Sequence, residues 1–296
     1  MSAGNANEPS AHRPFALPRA PALAIALLAA ACGSACGSAS DPRGGGVESA
    51  PSSSRTQTCC PIAELRQYTL RPGQRDVLIE LFDREFIETQ EATGMTVIGQ
   101  FRDLGAPDRF VWLRGFHDMP SRAGALTSFY GGPVWKAHGK AAGATMIDSN
   151  DVRLLRPASS AAGFALAERS RPPRGAQGVP ERIVTSTVYS FSADVSDDFV
   201  ALFERELTPV LTEAGAQIAG YFVTENSPNT YPALPVREGE HVFVWLAHFA
   251  DRAAYDRHVA ALAASARWRE IAPALERRFS APPQVLLLSP TSRSLL

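Results

Sequence analysis

Glu64, Arg66 and Tyr68 stand at alternate positions of Glu64-Leu-Arg-Gln-Tyr-Thr-Leu70. Trp112 and Arg114 do the same in Phe110-Val-Trp-Leu-Arg-Gly-Phe-His-Asp118. Alternation with a period of two puts each set on one face of a β-strand. An arginine among aromatic rings on an enclosed face needs an anion, a carboxylate or a π-face. Two arrangements meet that need. One is an internal ion-pair network of Arg66 and Arg114 with Glu64. The other is a site that takes the carboxylate or enolate of a small substrate. His138 follows Trp135 by three residues on one helical face. It is a candidate general base or haem ligand as well as a candidate structural residue. We therefore take Glu64, Arg66, Tyr68, Trp112, Arg114 and His138 as ligand-binding candidates. His117, His248 and His258 have no supporting constellation. The sequence contains no Ser-His-Asp order, phosphate loop, zinc spacing or paired-carboxylate motif. It implies no cofactor and no metal, and it assigns no catalytic residue.

The strand that carries Trp112 and Arg114 comes back. Phe110, Val111, Trp112, Leu113, Phe116 and Asp118 recur as Phe243, Val244, Trp245, Leu246, Phe249 and Asp251, a shift of 133 positions. The same shift relates Trp135 to Trp268 and Leu154-Leu155 to Leu287-Leu288. Upstream, Leu81-Phe82 and Arg84-Glu85 recur as Leu202-Phe203 and Arg205-Glu206, and Gly94, Gly99 and Phe101 as Gly215, Gly220 and Phe222, at a shift of 121. The chain is a duplication. The two shifts differ by 12 residues, which are inserted in the second copy within Thr224 to His241, a segment with Pro228, Pro232 and Pro235.

Each copy must position these residues on the same set of elements. A strand over 64–70 is followed by a turn at Arg71-Pro-Gly-Gln. Val77, Leu78, Leu81, Phe82, Phe86 and Ile87 then recur at helical spacing from Arg75 to about Ala92. Strands follow at 95–102 and 110–116. A helical region over 119–144 is broken at Tyr130-Gly-Gly-Pro133, and 152–156 is a last strand. The order βαββαβ is the ferredoxin-like unit, so the fold class is α+β. Such a unit leaves one sheet face bare, and the second copy is its natural partner. The domains are 59–158 and 181–290, joined by an Arg-, Pro-, Ala- and Gly-containing linker over 159–180.

The 296-residue chain has 45% hydrophobic and 20% charged residues and a formal net charge of −1, so nothing points to a nucleic-acid partner. Residues 1–58 differ from the rest. Arg13 and Arg19 precede an apolar run from Ala20 to Ala31 that ends at Cys32. The run is too short to span a bilayer and suits a signal peptide. Leu28-Ala-Ala-Ala-Cys32 is similar to a bacterial lipobox, with Cys32 as the lipidation site and Cys36 as a weaker one; an ordinary cleaved signal or a disordered tail is the alternative. Residues 33–58 are a Gly-, Ser- and Pro-rich tether. The expected location is the bacterial cell envelope, exported and lipid-anchored to a membrane. All four cysteines lie in the first 60 residues, so neither copy contains a disulfide framework. Cys59 and Cys60 are adjacent, and each could be unpaired or linked to a neighbour.

Five stretches taken together resemble the NIPSNAP family: Glu64-Leu-Arg-Gln-Tyr68, Gly99-Gln-Phe-Arg-Asp103, Phe110 to Phe116, Phe129 to His138 and Thr145-Met-Ile-Asp-Ser149. The resemblance covers 62–157 in order, and the copy at 181–290 keeps only its skeleton. It implies two ferredoxin-like units closing a dimeric α/β barrel, here a pseudo-dimer within one chain. The family implies little about activity. The expected function is an envelope protein binding a small apolar or anionic molecule or a protein partner. The alternative, implied by the wider barrel superfamily, is a small-molecule monooxygenase-like oxidoreductase.

Overall fold

The computed structural model describes residues 59–166 and 170–296. The signal, the lipidation site at Cys32 and the tether lie outside them. The first repeat runs β1 (Ile62–Leu70), α1 (Arg75–Leu81), a π-helical turn (Phe82–Phe86), α2 (Ile87–Glu91), β2 (Thr96–Asp103), β3 (Arg109–Phe116), α3 (Met119–Gly131), α4 (Pro133–Ala144) and β4 (Met146–Pro157). The second runs β5 (Ile183–Phe191), α5 (Asp197–Leu202), a π-helical turn (Phe203–Leu207), α6 (Thr208–Glu213), β6 (Gln217–Thr224), β7 (His241–Phe249), α7 (Arg252–Ala264), α8 (Ala266–Glu276) and β8 (Ala281–Pro290). Both are the expected βαββαβ unit. β4 begins six residues before the expected start at Val152. None of these helices is long and apolar enough to cross a membrane.

Local chemistry explains why the repeated residues recur. Asp118 caps α3, its Oδ1 accepting from the Ser121 amide at 2.7 Å, and Asp251 caps α7 by accepting from the Ala254 amide at 2.6 Å. Pro133 opens α4, so the break at Tyr130 to Pro133 separates two helices. Gly99 and Gly220 each follow a bulge in their strand. A Cβ at Gly99 would lie 2.5 Å from the Phe101 ring, and one at Gly220 2.9 Å from the Phe222 ring. The missing side chain lets each phenylalanine fold back under its own strand. The π-helical turns fall at matched positions of the two repeats, so they belong to the unit and not to one site.

The eight strands close an antiparallel barrel in the order β1-β3-β2-β8-β5-β7-β6-β4. The two seams between repeats are short. β2 meets β8 from Phe101 opposite Pro290 to Asp103 opposite Leu288, and β4 meets β6 from Leu155 opposite Thr224 to Pro157 opposite Phe222. Closure satisfies the edge strands that each half would otherwise leave open.

Side chains that alternate along the strands divide between two environments. Ala63, Leu65, Val111 and Leu113 meet Val184, Val244, Leu246 and Leu288 inside the barrel, whose interior is packed with apolar groups. Gln67 and Gln284 hydrogen-bond each other there at 3.2 and 3.3 Å. The opposite faces pack under the helices, in one core per repeat.

The linker does more than connect. β1 and β5 lie four steps apart in an antiparallel order, so both begin at the same barrel end. That end also receives the segment after β4 and the C-terminus. Phe164 is fully buried there, 4.6 Å from the Phe222 ring, and bridges to Cys59. Leu166 and Leu296 join the same apolar cluster. Cys59 and Cys60 are paired with each other in a disulfide.

Candidate functional site

β1 and β3 bring five of the six candidates together. Glu64 lies opposite Arg114 and Arg66 opposite Trp112, with Tyr68 beside Phe110. All five face the helices and not the barrel interior. Glu64 organises the cluster. Its Oε2 accepts from Arg66 Nη1 at 2.6 Å and from Arg114 Nε at 2.7 Å. Its Oε1 accepts from Arg122 Nε at 2.7 Å. Arg66 Nε donates to the Tyr68 hydroxyl at 3.0 Å, and Arg114 Nη1 donates to Gln90 Oε1 at 3.2 Å. The rings are close: the Arg66 and Arg114 guanidinium carbons lie 5.5 and 5.1 Å from the Trp112 ring centre, within cation–π range.

Arg122 was not among the sequence candidates. It sits on α3 between Met119 and Leu126 and is fully buried. Its Nη1 donates to Asn229 Oδ1 at 3.0 Å and Thr230 Oγ1 at 3.1 Å. Both acceptors belong to the loop between β6 and β7, which contains the insertion of the second repeat. Thr230 Oγ1 in turn donates to the Met119 carbonyl, and Tyr231 stacks on Tyr130 at 5.9 Å. One repeat supplies the charges and the other covers them.

The electrostatics are lopsided. Glu64, Arg66, Arg114 and Arg122 are all at most 1% exposed. Among the described residues, Glu64 is the one carboxylate paired with any of the three arginines. Burial alone would raise the Glu64 carboxyl, but Arg114, Arg66 and Arg122 outweigh it and hold the group far below the usual carboxylate range. Burial likewise opposes the Arg66 charge, yet Tyr68 and Glu64 raise its pKa. Burial lowers Arg122, against the pull of Glu64. Burial raises the Tyr68 hydroxyl, which keeps it neutral. Three cations thus face one anion. Arg114 Nη2, Arg122 Nη2 and Trp112 Nε1 are buried donors without an acceptor among the described residues.

His138 stands apart. It lies on α4, about one-third exposed, with Nε2 3.8 Å from Glu85 Oε2. The structure does not bring it into the Glu64 cluster. The second repeat keeps the frame and loses the charges. Positions 64, 66, 90, 114 and 122 map by the two shifts to Thr185, Thr187, Leu211, Ala247 and Tyr255. Tyr68 and Trp112 map to Tyr189 and Trp245, both buried.

Residues 63–162 match the NIPSNAP family model. The first repeat is a NIPSNAP domain. The match spans about a third of the chain, and β1, β3 and α3 of this domain build the arginine cluster. Among solved structures, a NIPSNAP family protein from Agrobacterium tumefaciens is 24% identical over 32% of this chain and 91% of its own, with a TM-score of 0.31. A candidate monooxygenase from Fusobacterium nucleatum is 8% identical over 78% of this chain and 93% of its own, with a TM-score of 0.49. An anthrone oxidase-like protein is 13% identical over 78% and 91%, with a TM-score of 0.45. None of these likenesses bears on chemistry. No curated protein matches the sequence.

Proposed function

We propose that the NIPSNAP domain binds a small anionic molecule at Arg66, Arg114 and Arg122, between its sheet and its helices. The observation that carries this is the excess of buried positive charge, with Arg114 Nη2 and Arg122 Nη2 left without acceptors among the described residues. Burying an uncompensated ion costs several kcal/mol even after relaxation. The second repeat supports the reading, because it builds the same unit with Thr185, Thr187 and Ala247 at three of the charged positions. The charges are not a requirement of the fold. The anion is a carboxylate or a phosphate, the groups that a guanidinium fork binds in two places.

Native mass spectrometry of the purified protein tests this. A small acidic adduct is expected on the wild type and absent from a variant with Arg66→Thr and Arg114→Ala. If neither protein carries an adduct, and no carboxylate or phosphate raises the melting temperature, the domain is not an anion-binding module.

We further propose that the protein is exported and anchored by lipid at Cys32 in a bacterial envelope. The charged start, the apolar run and the small residues before Cys32 support it. Fractionation of cells expressing wild type and Cys32→Ala checks the anchor. A full-length wild type in the cytosolic fraction contradicts it.

A further inference from the structure

We infer that the occupant of the arginine site is a compact dianion, and that it enters by displacing Asn229 and Thr230 from Arg122. This rests on the anion-binding reading above and adds the charge of the ligand, its size and the part that moves.

The charge follows from counting. Three buried arginines and one ionised Glu64 leave two positive charges uncompensated. A monoanion leaves one of them buried without a counter-charge, and a dianion leaves none. The donors are also distributed for such a ligand. Arg114 Nη2 and Arg122 Nη2 come from a strand and a helix that both converge on Glu64, and each lacks an acceptor.

The moving part follows from what now occupies Arg122. Asn229 Oδ1 and Thr230 Oγ1 accept its hydrogen bonds but bring no charge. They satisfy the geometry of the guanidinium and not its electrostatics. An incoming oxyanion makes the same hydrogen bonds, and charge-assisted ones are roughly twice as strong. The segment that carries them contains no helix or strand, and it is anchored to the first repeat at both ends, the Glu225 amide donating to the Leu154 carbonyl and the Arg237 amide to the Val152 carbonyl. Tyr231, Leu234 and Val236 also pack on the first core, so the displacement is a local one of Asn229 and Thr230 between those anchors. Their displacement vacates the space of one asparagine and one threonine side chain. Inorganic phosphate, malonate and succinate are comparable in size to those two side chains, and a nucleotide is far larger.

The test is titration calorimetry on the full chain with malonate, succinate and inorganic phosphate, against acetate and chloride at matched ionic strength. Dianions are expected to bind at least tenfold more tightly than monoanions, and phosphate more tightly as pH rises through its second ionisation. N229A/T230A should bind dianions several-fold more tightly, because the competing acceptors are gone. Acetate binding as well as malonate would overturn the dianion and leave the anion site standing. Weaker binding by N229A/T230A would overturn displacement, because the two side chains would then be contacts to the ligand. Binding by no anion, in wild type or variant, would remove both this inference and the function it rests on.

Discussion

Arg122 Nε donates to Glu64 Oε1 at 2.7 Å, and neither side chain is reached by solvent. Glu64 also takes Arg66 and Arg114 on its other oxygen, so a single carboxylate holds three cations together. Glu64→Gln keeps the shape and removes the charge. Three buried arginines then lack any anion, and removing one partner of a buried pair costs about 3–5 kcal/mol. The melting temperature should fall by roughly ten degrees. The sign of the pH dependence is fixed. The folded pKa of Glu64 lies below the unfolded value of about 4.3, so its contribution is complete above that value and fades as pH falls through the folded one. The urea-midpoint gap between wild type and Glu64→Gln should therefore narrow on acidification below pH ~4. A gap independent of pH contradicts the charge argument.

Removing the whole cluster should have the opposite effect. A variant with Glu64→Thr, Arg66→Thr, Arg114→Ala and Arg122→Tyr carries the second repeat's own residues in the first. Exchanging a buried ionic cluster for packed groups is often neutral or stabilising, by about 1–4 kcal/mol. The variant should fold, melt at or above the wild-type temperature and lose anion binding. A folded wild type beside an unfolded variant would make the cluster a structural necessity.

Much of this was legible from alternation alone. Glu64, Arg66 and Tyr68 share a face because strands have a period of two, and β1 and β3 did bring them to Trp112 and Arg114. Arg122 was equally legible in principle. Met119, Arg122, Leu126 and Phe129 follow helical spacing, and an arginine inside an apolar stripe is a signal. Its partners were not. Asn229 and Thr230 lie more than a hundred positions away in an irregular loop, where no local pattern predicts a tertiary contact. His138 shows a related limit of spacing. It shares a helical face with Trp135, but the buried residues of α4 are Gly139 and Ala142, and the histidine turns toward Glu85 at the surface, away from the Glu64 cluster. The linker hid a core residue, because one aromatic in an aperiodic segment has no pattern to announce it.

That residue is Phe164. It is fully buried against Phe222, and its backbone carbonyl accepts from the Cys59 amide at 2.7 Å. Phe164→Ala empties a closed apolar site at the end of the barrel. The expected cost is about 3–5 kcal/mol. The urea midpoint should drop with little change in slope. A loss of less than about 1 kcal/mol would mean that the end of the barrel relaxes around the gap and that the segment is only a connector.

The two seams lead to a prediction about half the molecule. Residues 59–158 contain every element of one ferredoxin-like unit, with its own core under the helices. They also present Ala63, Leu65, Ile98, Phe101, Val111, Leu113 and Leu155, which the second repeat covers in the intact barrel. Exposed alone, that face is a contiguous apolar patch of the kind that soluble monomers avoid. The edges of β2 and β4 would also lose the backbone partners that β8 and β6 supply. Two copies of the fragment can restore both by closing a barrel about a two-fold axis, as the two repeats do within one chain. Light scattering on the isolated fragment should therefore report a dimer or an aggregate. A stable, soluble monomer would show that the barrel interior is not what holds the two repeats together.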